Sequence, residues 1–253
     1  MRDKGIIKVF PDTESLAEHA AECLIKKINK NFSNQSFSIA LSGGTTPKKI
    51  FSCIASKYSE KINWHKLKVF FGDERCVHPS SDDSNYKMAD ETLFKLVSIP
   101  KKNIFRIKGE NKPSYEASRY SKIVAENLPL KDGLPQFDVV MLGLGDDGHV
   151  ASIFPNQLEI FNSNKIYETA VHPSTGQKRI SITGKIINNA KLVVFIVTGE
   201  GKSKILYEIL TLTPHNVSYP ASFVNPTGGE LIWLLDAEAS KLLNNKISIQ
   251  KIF

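Results

Sequence analysis

The residues best suited to chemistry lie in one glycine-rich turn, Gly143-Leu144-Gly145-Asp146-Asp147-Gly148-His149. The turn follows the apolar run Val139 to Leu142, which is typical of a strand buried on both faces of a parallel sheet. His149 is the side chain best able to exchange protons near neutral pH. Ligands bind at the carboxyl ends of such strands. We therefore hypothesise that the chain brings a phosphorylated substrate to His149, although a buried histidine satisfied by backbone groups is an alternative.

A second glycine turn, Ser42-Gly43-Gly44-Thr45-Thr46, follows a predicted strand at residues 37–41. We predict that a helix begins there, with Thr46 as its cap and Pro47 as its first residue. Unpaired N–H groups at a helix start attract phosphate, and the hydroxyls add donors. The turn lacks the Gly-Lys-Ser/Thr ending of a nucleotide P-loop. An ordinary capped turn without a ligand is the alternative to a phosphate site.

Charged residues follow a third predicted strand, at residues 67–71. This strand runs into Gly72-Asp73-Glu74-Arg75. Three charged residues at the end of a buried strand indicate either a site or a structural cluster in which Arg75 pairs with its acidic neighbours. The sequence does not decide which of the three side chains faces a ligand.

Lys202 stands at the predicted start of a helix, after the strand at residues 192–197 and the turn Gly199-Glu200-Gly201. A cation is disfavoured at this end of a helix because of the helix dipole. An anion bound between Lys202 and nearby N–H groups would remove the conflict.

The elements that must position these residues alternate along the chain. Apolar runs predict strands, and segments of helical periodicity between them predict helices. This order predicts an α/β fold: a Rossmann-like, doubly wound, mostly parallel sheet with helices on both faces, forming one domain over residues 1–253. The predicted strands are residues 6–10, 37–41, 67–71, 139–142, 166–171, 179–183, 192–197 and 231–235, and the longer predicted helices begin near residues 12, 47, 86, 113, 203 and 237.

Composition narrows the class of protein. The 253 residues are 41% hydrophobic and carry a net charge of +7. The lysines are scattered rather than clustered with aromatic residues, which favours a lysine-rich surface or an anionic substrate over nucleic acid. The apolar runs are too short to span a bilayer, and the first residues do not resemble a secretory signal. Cys23, Cys53 and Cys76 lack metal-ligand spacing and are expected to be reduced thiols in the cytoplasm.

Four motifs in this order resemble the 6-phosphogluconolactonases, within the wider group that includes glucosamine-6-phosphate deaminases. The motifs are Leu41 to Pro47, Gly72 to Arg75 with Asp83-Ser84-Asn85, Leu142 to Pro155, and Gly199 to Lys202. The resemblance covers nearly the whole chain, including its Pro220 to Asp236 region. It implies the fold of the NagB/RpiA/CoA transferase-like group. It also implies hydrolysis of 6-phospho-D-glucono-1,5-lactone to 6-phosphogluconate in the oxidative pentose phosphate pathway.

Particular residues favour the lactonases over the deaminases. The deaminases carry Asp-Glu-Tyr where this chain has Asp73-Glu74-Arg75, and a catalytic glutamate in an Asn-Glu-Pro segment where this chain reads Ser152-Ile153-Phe154-Pro155. Without that carboxylate, the proton-transfer set for deamination is incomplete. The chain departs from the usual lactonase pattern at Thr45, where serine is common, and at Phe223, in a segment that often carries arginine.

The resemblance also implies roles for the site residues. His149 would be the general base, and Asp147 would hold the imidazole or the turn. Arg75, or backbone N–H groups of a nearby turn, would stabilise the oxyanion. The substrate and its phosphate would be bound by the following residues: Ser42, Gly43, Gly44, Thr45, Thr46, Asp73, Arg179 and Lys202. Neither a metal nor a cofactor is implied. The expected partner is the sugar phosphate lactone alone, without nucleic acid or membrane, and the expected state is a monomer or a weak homo-oligomer.

Two other classes of protein remain as alternatives. Gly143 to Gly148 fits the G-x-G-x-x-G dinucleotide fingerprint, with Glu168 further along, but Pro155 interrupts the helix that should follow. A non-catalytic sugar-phosphate sensor is the second alternative. Such proteins normally add a DNA-binding helix-turn-helix, whereas here the first predicted strand begins within ten residues of the start of the chain.

Overall fold

A seven-stranded sheet runs through the centre of the computed structural model, which describes residues 4–30, 36–211, 219–243 and 248–252. The described strands are β1 (Ile6–Phe10), β2 (Phe37–Leu41), β3 (Leu67–Phe71), β4 (Asp73–Arg75), β5 (Leu130–Lys131), β6 (Leu134–Pro135), β7 (Val139–Leu142), β8 (Tyr167–Val171), β9 (Lys178–Ile182), β10 (Leu192–Val197), β11 (Glu230–Asp236) and β12 (Gln250–Lys251). The described α-helices are α1 (Thr13–Lys30), α2 (Thr45–Tyr58), α3 (Asn85–Thr92), α4 (Pro113–Asn127), α5 (Leu158–Asn162), α6 (Gly184–Asn188), α7 (Ser203–Thr211) and α8 (Ala237–Ser240).

The central sheet has the strand order β12-β1-β11-β10-β7-β2-β3, and its pairings are parallel. From β2 the chain moves outward to β3, then returns to β7 and continues through β10 and β11 in the opposite direction. The strand order therefore reverses between β2 and β7. In a doubly wound sheet this reversal opens a crevice at the carboxyl ends of the two strands, where ligands bind. The predicted doubly wound α/β fold is confirmed.

Helices cover both faces of the sheet because its strands present apolar side chains in both directions. All six residues of β10 are buried. Val194 lies beside Leu24 of α1. On the opposite face, Phe195 stacks on Trp233 with 3.8 Å between ring centroids, and Trp233 lies beside Leu210 of α7. The continuous apolar runs of the sequence therefore correspond to strands buried on both faces.

A second sheet, which the sequence did not predict, lies beside the first. It is antiparallel, with the order β4-β9-β8. The predicted strands at residues 166–171 and 179–183 belong to it, and so do the charged residues after β3. The N–H of Ile182 donates to the carbonyl of Gly72 over 2.7 Å, which joins this sheet to the end of β3. The pairing makes Arg75 and Arg179 direct neighbours across β4 and β9.

Helix α2 begins earlier than predicted. Its first residue is Thr45 and its cap is Gly44, so the predictions of Thr46 as cap and Pro47 as first residue were wrong. Gly44 has a φ of 113°, which glycine adopts without steric cost, and this lets the chain turn at once. The hydroxyl of Thr46 instead lies 2.7 Å from that of Thr198. Pro47 is still within the first turn, where a missing N–H costs no helical hydrogen bond.

The sequence predicts a helix that ends before Pro100, with Met88, Leu93, Leu96 and Val97 in the core. Helix α3 is shorter than this prediction. It ends at Thr92, and a 3₁₀ turn at Phe94–Leu96 follows. Leu93 is buried as predicted, but Leu96 is 59% exposed, so its assignment to the core was wrong. The change from 3.6 to about three residues per turn rotates Leu96 away from the core face.

None of the helices in the described ranges is both long enough and apolar enough to cross a bilayer. The thiols of Cys23, Cys53 and Cys76 are free.

Candidate active site

A pocket of about 250 Å³ opens at the carboxyl ends of β2 and β7, where the strand order reverses. The second sheet forms one of its walls. Thus the glycine turns, the charged strand end and the lysine that the sequence singled out come together in one cavity. Its lining residues are Ser42, Gly43, Gly44, Asp73, Arg75, Asn85, Gly143, Leu144, Gly145, Asp146, His149, Ala151, Arg179 and Lys202.

His149 is paired with Asp147 at the edge of this pocket. The Nδ1 atom of His149 lies 2.7 Å from Oδ1 of Asp147, and the backbone N–H of His149 donates to the same oxygen over 3.1 Å. Burial raises the pKa of Asp147, but the hydrogen bonds from His149 outweigh it, and the pKa lies below its usual value. An ionised Asp147 favours the tautomer with the proton on Nδ1, which leaves Nε2 as the ring nitrogen able to accept a proton.

The ring of His149 is held between Gly145 and Phe154. A Cβ atom on Gly145 would lie 2.0 Å from Nδ1 of His149, so the close approach requires glycine. On the other side, the centroid of the Phe154 ring lies 4.8 Å from that of the imidazole. Phe154 is buried. A titratable ring is therefore fixed in position by an apolar neighbour and a backbone contact.

Arg75 and Arg179 form a pair of like charges on the second sheet. The two residues are opposite each other in the β4–β9 pairing. Burial, followed by the charge of Arg75, holds the pKa of Arg179 below its usual value. A guanidinium group of Arg75 donates to the carbonyl of Asp83. Both Nε atoms are buried, and neither has a hydrogen-bond partner among the described residues. Two adjacent cations with unused donors form a site suited to a phosphate or an oxyanion.

Asp73 faces the pocket and is held from two sides. Its Oδ1 atom accepts from Nδ2 of Asn85 over 3.2 Å, and its Oδ2 atom accepts from Oγ of Ser152 over 2.6 Å. Only 6% of Asp73 is exposed. Burial of a carboxylate is tolerated where its oxygens are hydrogen-bonded.

Glu74 faces the protein interior and stabilises the start of α3. Its carboxylate accepts backbone N–H groups from Arg75, Asn85 and Tyr86, each over 2.8 Å, and the hydroxyl of Ser84. Burial raises the pKa of Glu74, and these hydrogen bonds oppose the rise. Of the three charged residues after β3, Asp73 and Arg75 line the pocket, while Glu74 orders the loop that brings Asn85 to it.

The start of α2 forms another wall of the pocket. Ser42, Gly43 and Gly44 line the cavity, and no side chain of the described part of the chain caps the helix. A Cβ atom on Gly43 would lie 1.9 Å from Oδ1 of Asn85, so this approach also requires glycine. The uncapped N–H groups at the positive end of a 14-residue helix suit an anion.

Two of the predicted binding residues have side chains outside the walls of the cavity. Thr45 is exposed, and Thr46 is buried with its hydroxyl against Thr198. Phe223, one of the departures from the lactonase pattern, packs against Phe161, with 5.8 Å between ring centroids. The parts of this turn that line the cavity are therefore Ser42, Gly43 and Gly44 rather than its two threonines.

Lys202 forms an ion pair across the pocket mouth. It lies in a 3₁₀ turn at Glu200–Lys202, directly before α7. Its ammonium group contacts the carboxylate of Asp146, whose side chain is 87% exposed. The conflict between a lysine and the positive end of a helix is thus eased by a side chain of the glycine turn at residues 143–149. Arg179 and Lys202, for which the resemblance implied phosphate binding, both line the pocket.

Sequence reasoning missed Asn85 and Ser152 as members of the site. Asn85 was noted as part of a motif, and its contacts with Asp73 and Gly43 depend on pairs of residues distant in the chain. Ser152 is 79 positions from the carboxylate that it contacts. No local pattern marks either residue. The predicted interruption before Pro155 is confirmed, since the segment after β7 is a turn and not the helix of a dinucleotide-binding unit.

A family model described as glucosamine-6-phosphate isomerases/6-phosphogluconolactonase matches residues 11–233. A protein of Aggregatibacter actinomycetemcomitans named 6-phosphogluconolactonase is 42% identical over 229 residues, which are 90% of this chain and 97% of that protein. A protein of the same name from Haemophilus influenzae is 41% identical over the same shares of the two chains.

A solved structure of a protein named 6-phosphogluconolactonase also matches this chain. The structure of 6-phosphogluconolactonase from Trypanosoma brucei matches with a TM-score of 0.84 and 32% identity, and the match covers 95% of this chain and 99% of that one.

Proposed function

The chain belongs to the family of glucosamine-6-phosphate isomerases and 6-phosphogluconolactonases, and we propose that it hydrolyses 6-phospho-D-glucono-1,5-lactone to 6-phosphogluconate in the pocket at the β2–β7 crevice. It is a lactone-hydrolysing enzyme of carbohydrate metabolism, like the relatives named 6-phosphogluconolactonase. The main observation in support of this site is the His149–Asp147 pair at the edge of a cavity lined by three cations. A lactonase assay corrected for spontaneous hydrolysis tests the proposal. A rate no greater than the spontaneous one would contradict it.

His149 is the general base of this proposal. Nε2 takes a proton from water as the water oxygen attacks the lactone carbonyl, and Asp147 balances the charge that the imidazole gains. When the tetrahedral intermediate collapses, the carbon–oxygen bond of the ring breaks. The same proton passes from His149 to the departing ring oxygen, so water has been added across the ester bond. A positioned base of this kind contributes about 10²–10⁴-fold to a rate.

Arg75 stabilises the oxyanion formed by this attack. Its guanidinium lines the same cavity as His149, and its Nε atom is buried with no partner among the described residues. A donor whose charge is already in place strengthens its interaction as negative charge develops on the carbonyl oxygen.

The 6-phosphate is bound by the start of α2, Lys202 and Arg179. The helix N-terminus contributes backbone donors at Gly43 and Gly44, and the two cations contribute charge. Asp73 accepts a hydrogen bond from a sugar hydroxyl, since its carboxylate is fixed at the cavity wall.

Replacing Lys202 with methionine should raise KM about tenfold while kcat changes little. The phosphate takes no part in the bond changes of the reaction, so its contact with Lys202 is equal in the ground state and the transition state. Steady-state kinetics with Lys204→Met as the control provide the test, because Lys204 lies two residues further along the chain, in α7, and is exposed. A loss in kcat at unchanged KM would contradict this role.

Replacing Asp146 with asparagine should lower KM about two- to fivefold. Asp146 and the substrate phosphate compete for Lys202, and an exposed ion pair of this kind is worth about 0.2–1 kcal/mol. Glu126→Gln is the matched control, since it removes the same charge from an exposed ion pair with Lys122 on α4. A rise in KM would show that Asp146 contacts the substrate instead.

The deaminase alternative is not favoured. Phe154 occupies the segment in which the deaminases place their catalytic glutamate, and its buried ring packs against His149. Parallel assays with glucosamine-6-phosphate and the lactone distinguish the two activities.

We also propose that the chain acts as one domain over residues 1–253, as a monomer or weak homo-oligomer in the cytoplasm, without nucleic acid or membrane as a partner. Three free thiols support a reducing compartment. Sedimentation measured at several concentrations tests the state of assembly.

A further inference from the structure

A hydrogen bond between two buried side chains joins the second sheet to residues 143–153, the catalytic turn, which contains His149. The hydroxyl of Ser152, three residues after His149, donates to Oδ2 of Asp73 over 2.6 Å. Ser152 is fully buried, and Asp73 is 6% exposed at the cavity wall. Burying a hydroxyl costs free energy unless it makes a hydrogen bond. A hydrogen bond to an ionised carboxylate oxygen is stronger than one to a neutral acceptor.

The backbone conformation around Ser152 orients this hydroxyl. Ala151 has a φ of 49°, a left-handed conformation that is uncommon for residues other than glycine. The N–H of Ile153 returns to the carbonyl of Val150 over 2.8 Å, which closes the turn. The N–H of Ser152 donates to Oγ of Ser181 over 3.1 Å. A backbone conformation of this kind persists where its surroundings fix it.

The carboxylate of Asp73 therefore has donors from two separate segments. Asn85 at the start of α3 donates to one oxygen, and Ser152 from the catalytic turn donates to the other. The plane of the carboxylate is fixed, and so is the distance between β4 and the turn that carries His149. Without Ser152, the carboxylate could rotate about its bond to Cβ.

We propose that Ser152 is a positioning residue for the reaction, acting through Asp73 to hold the second sheet in register with His149. This inference rests on the proposed function, because its readout is lactone hydrolysis. Asp73 meets the sugar and His149 meets the carbonyl, so the hydroxyl of Ser152 sets the geometry in which one substrate reaches both. A misplacement of about 1 Å in such geometry can lower the rate by on the order of 10²-fold.

Ser152→Ala tests the proposal against a matched control. We expect kcat/KM to fall about tenfold, the usual loss for one hydrogen bond to a charged group. Ser38→Ala is the control, because Ser38 is also buried and its hydroxyl donates to a carboxylate, that of Asp138, over 2.9 Å, but neither residue lines the pocket. Equal losses in the two variants would overturn the proposal.

A double-mutant cycle separates positioning from a merely structural role. In an Asp73→Ala background, Ser152→Ala should cost less than twofold in kcat/KM, because the partner of the hydroxyl is already gone. A tenfold loss in both backgrounds would mean that Ser152 acts on the turn and not through Asp73. Wild-type enzyme without lactonase activity would contradict the proposed function instead, so the two failures are distinguishable.

A second pair of variants covers the case in which Ser152→Ala does not fold. Ser152→Thr and Ser152→Val have nearly the same shape and differ in the hydroxyl. We expect the threonine variant to keep about ten times the kcat/KM of the valine variant. Equal activities in this pair would overturn the proposal.

Discussion

Replacing His149 with asparagine will lower kcat for lactone hydrolysis by about 10²–10⁴-fold. The amide keeps a polar side chain near Asp147 but cannot take a proton from water. KM should change little, since the proposed mechanism places the ring against the carbonyl rather than the phosphate. The assay follows loss of the lactone, with the spontaneous rate subtracted at each concentration.

His65→Asn is the control for this substitution, because His65 is exposed, does not line the cavity, and precedes β3, whereas the cavity residues Asp73 and Arg75 follow that strand. Circular dichroism of both variants checks that the fold is kept. A folded His149→Asn enzyme with near wild-type kcat would show that His149 is not the general base.

Replacing Gly145 with alanine will lower kcat about 100-fold or more, although the new methyl group carries no charge. A Cβ atom at this position would lie 2.0 Å from Nδ1 of His149, so the ring must move and its bond to Asp147 must lengthen or break. Misplacement of a catalytic group by about 1 Å can cost on the order of 10²-fold.

Gly201→Ala is the matched control for the Gly145 variant, since a Cβ atom on Gly201 would meet no atom within 4 Å. Its activity should match that of the wild type. A crystal structure of Gly145→Ala should show the imidazole displaced. An active enzyme with the ring in its original place would show that the close contact has no catalytic consequence.

Much of the fold could be predicted from patterns of residues that are neighbours in the chain. β10 is an uninterrupted apolar run, and a strand buried on both faces needs such a run. The turn at residues 143–149 follows a similar run, and its glycines and histidine indicated the crevice where the strand order reverses. These features depend on residues that are neighbours in the chain.

The remainder of the site depends on pairs of residues that are distant in the chain. The pairing of Arg75 with Arg179 follows from the register of β4 and β9, which the sequence did not reveal as a separate sheet. The contact between Ser152 and Asp73 arises in the same way. The start of α2 was predicted two residues too late, because the bond between Thr46 and Thr198 competes with capping.

The two arginines side by side have a consequence for how the protein balances folding against function. Two positive charges held together in a partly buried place repel each other, and folding must oppose that repulsion. A chain selected for stability alone would carry an acidic or apolar residue at one of these positions. The protein thus gives up some resistance to unfolding, and under the proposed function an anionic substrate that enters and neutralises the pair restores it.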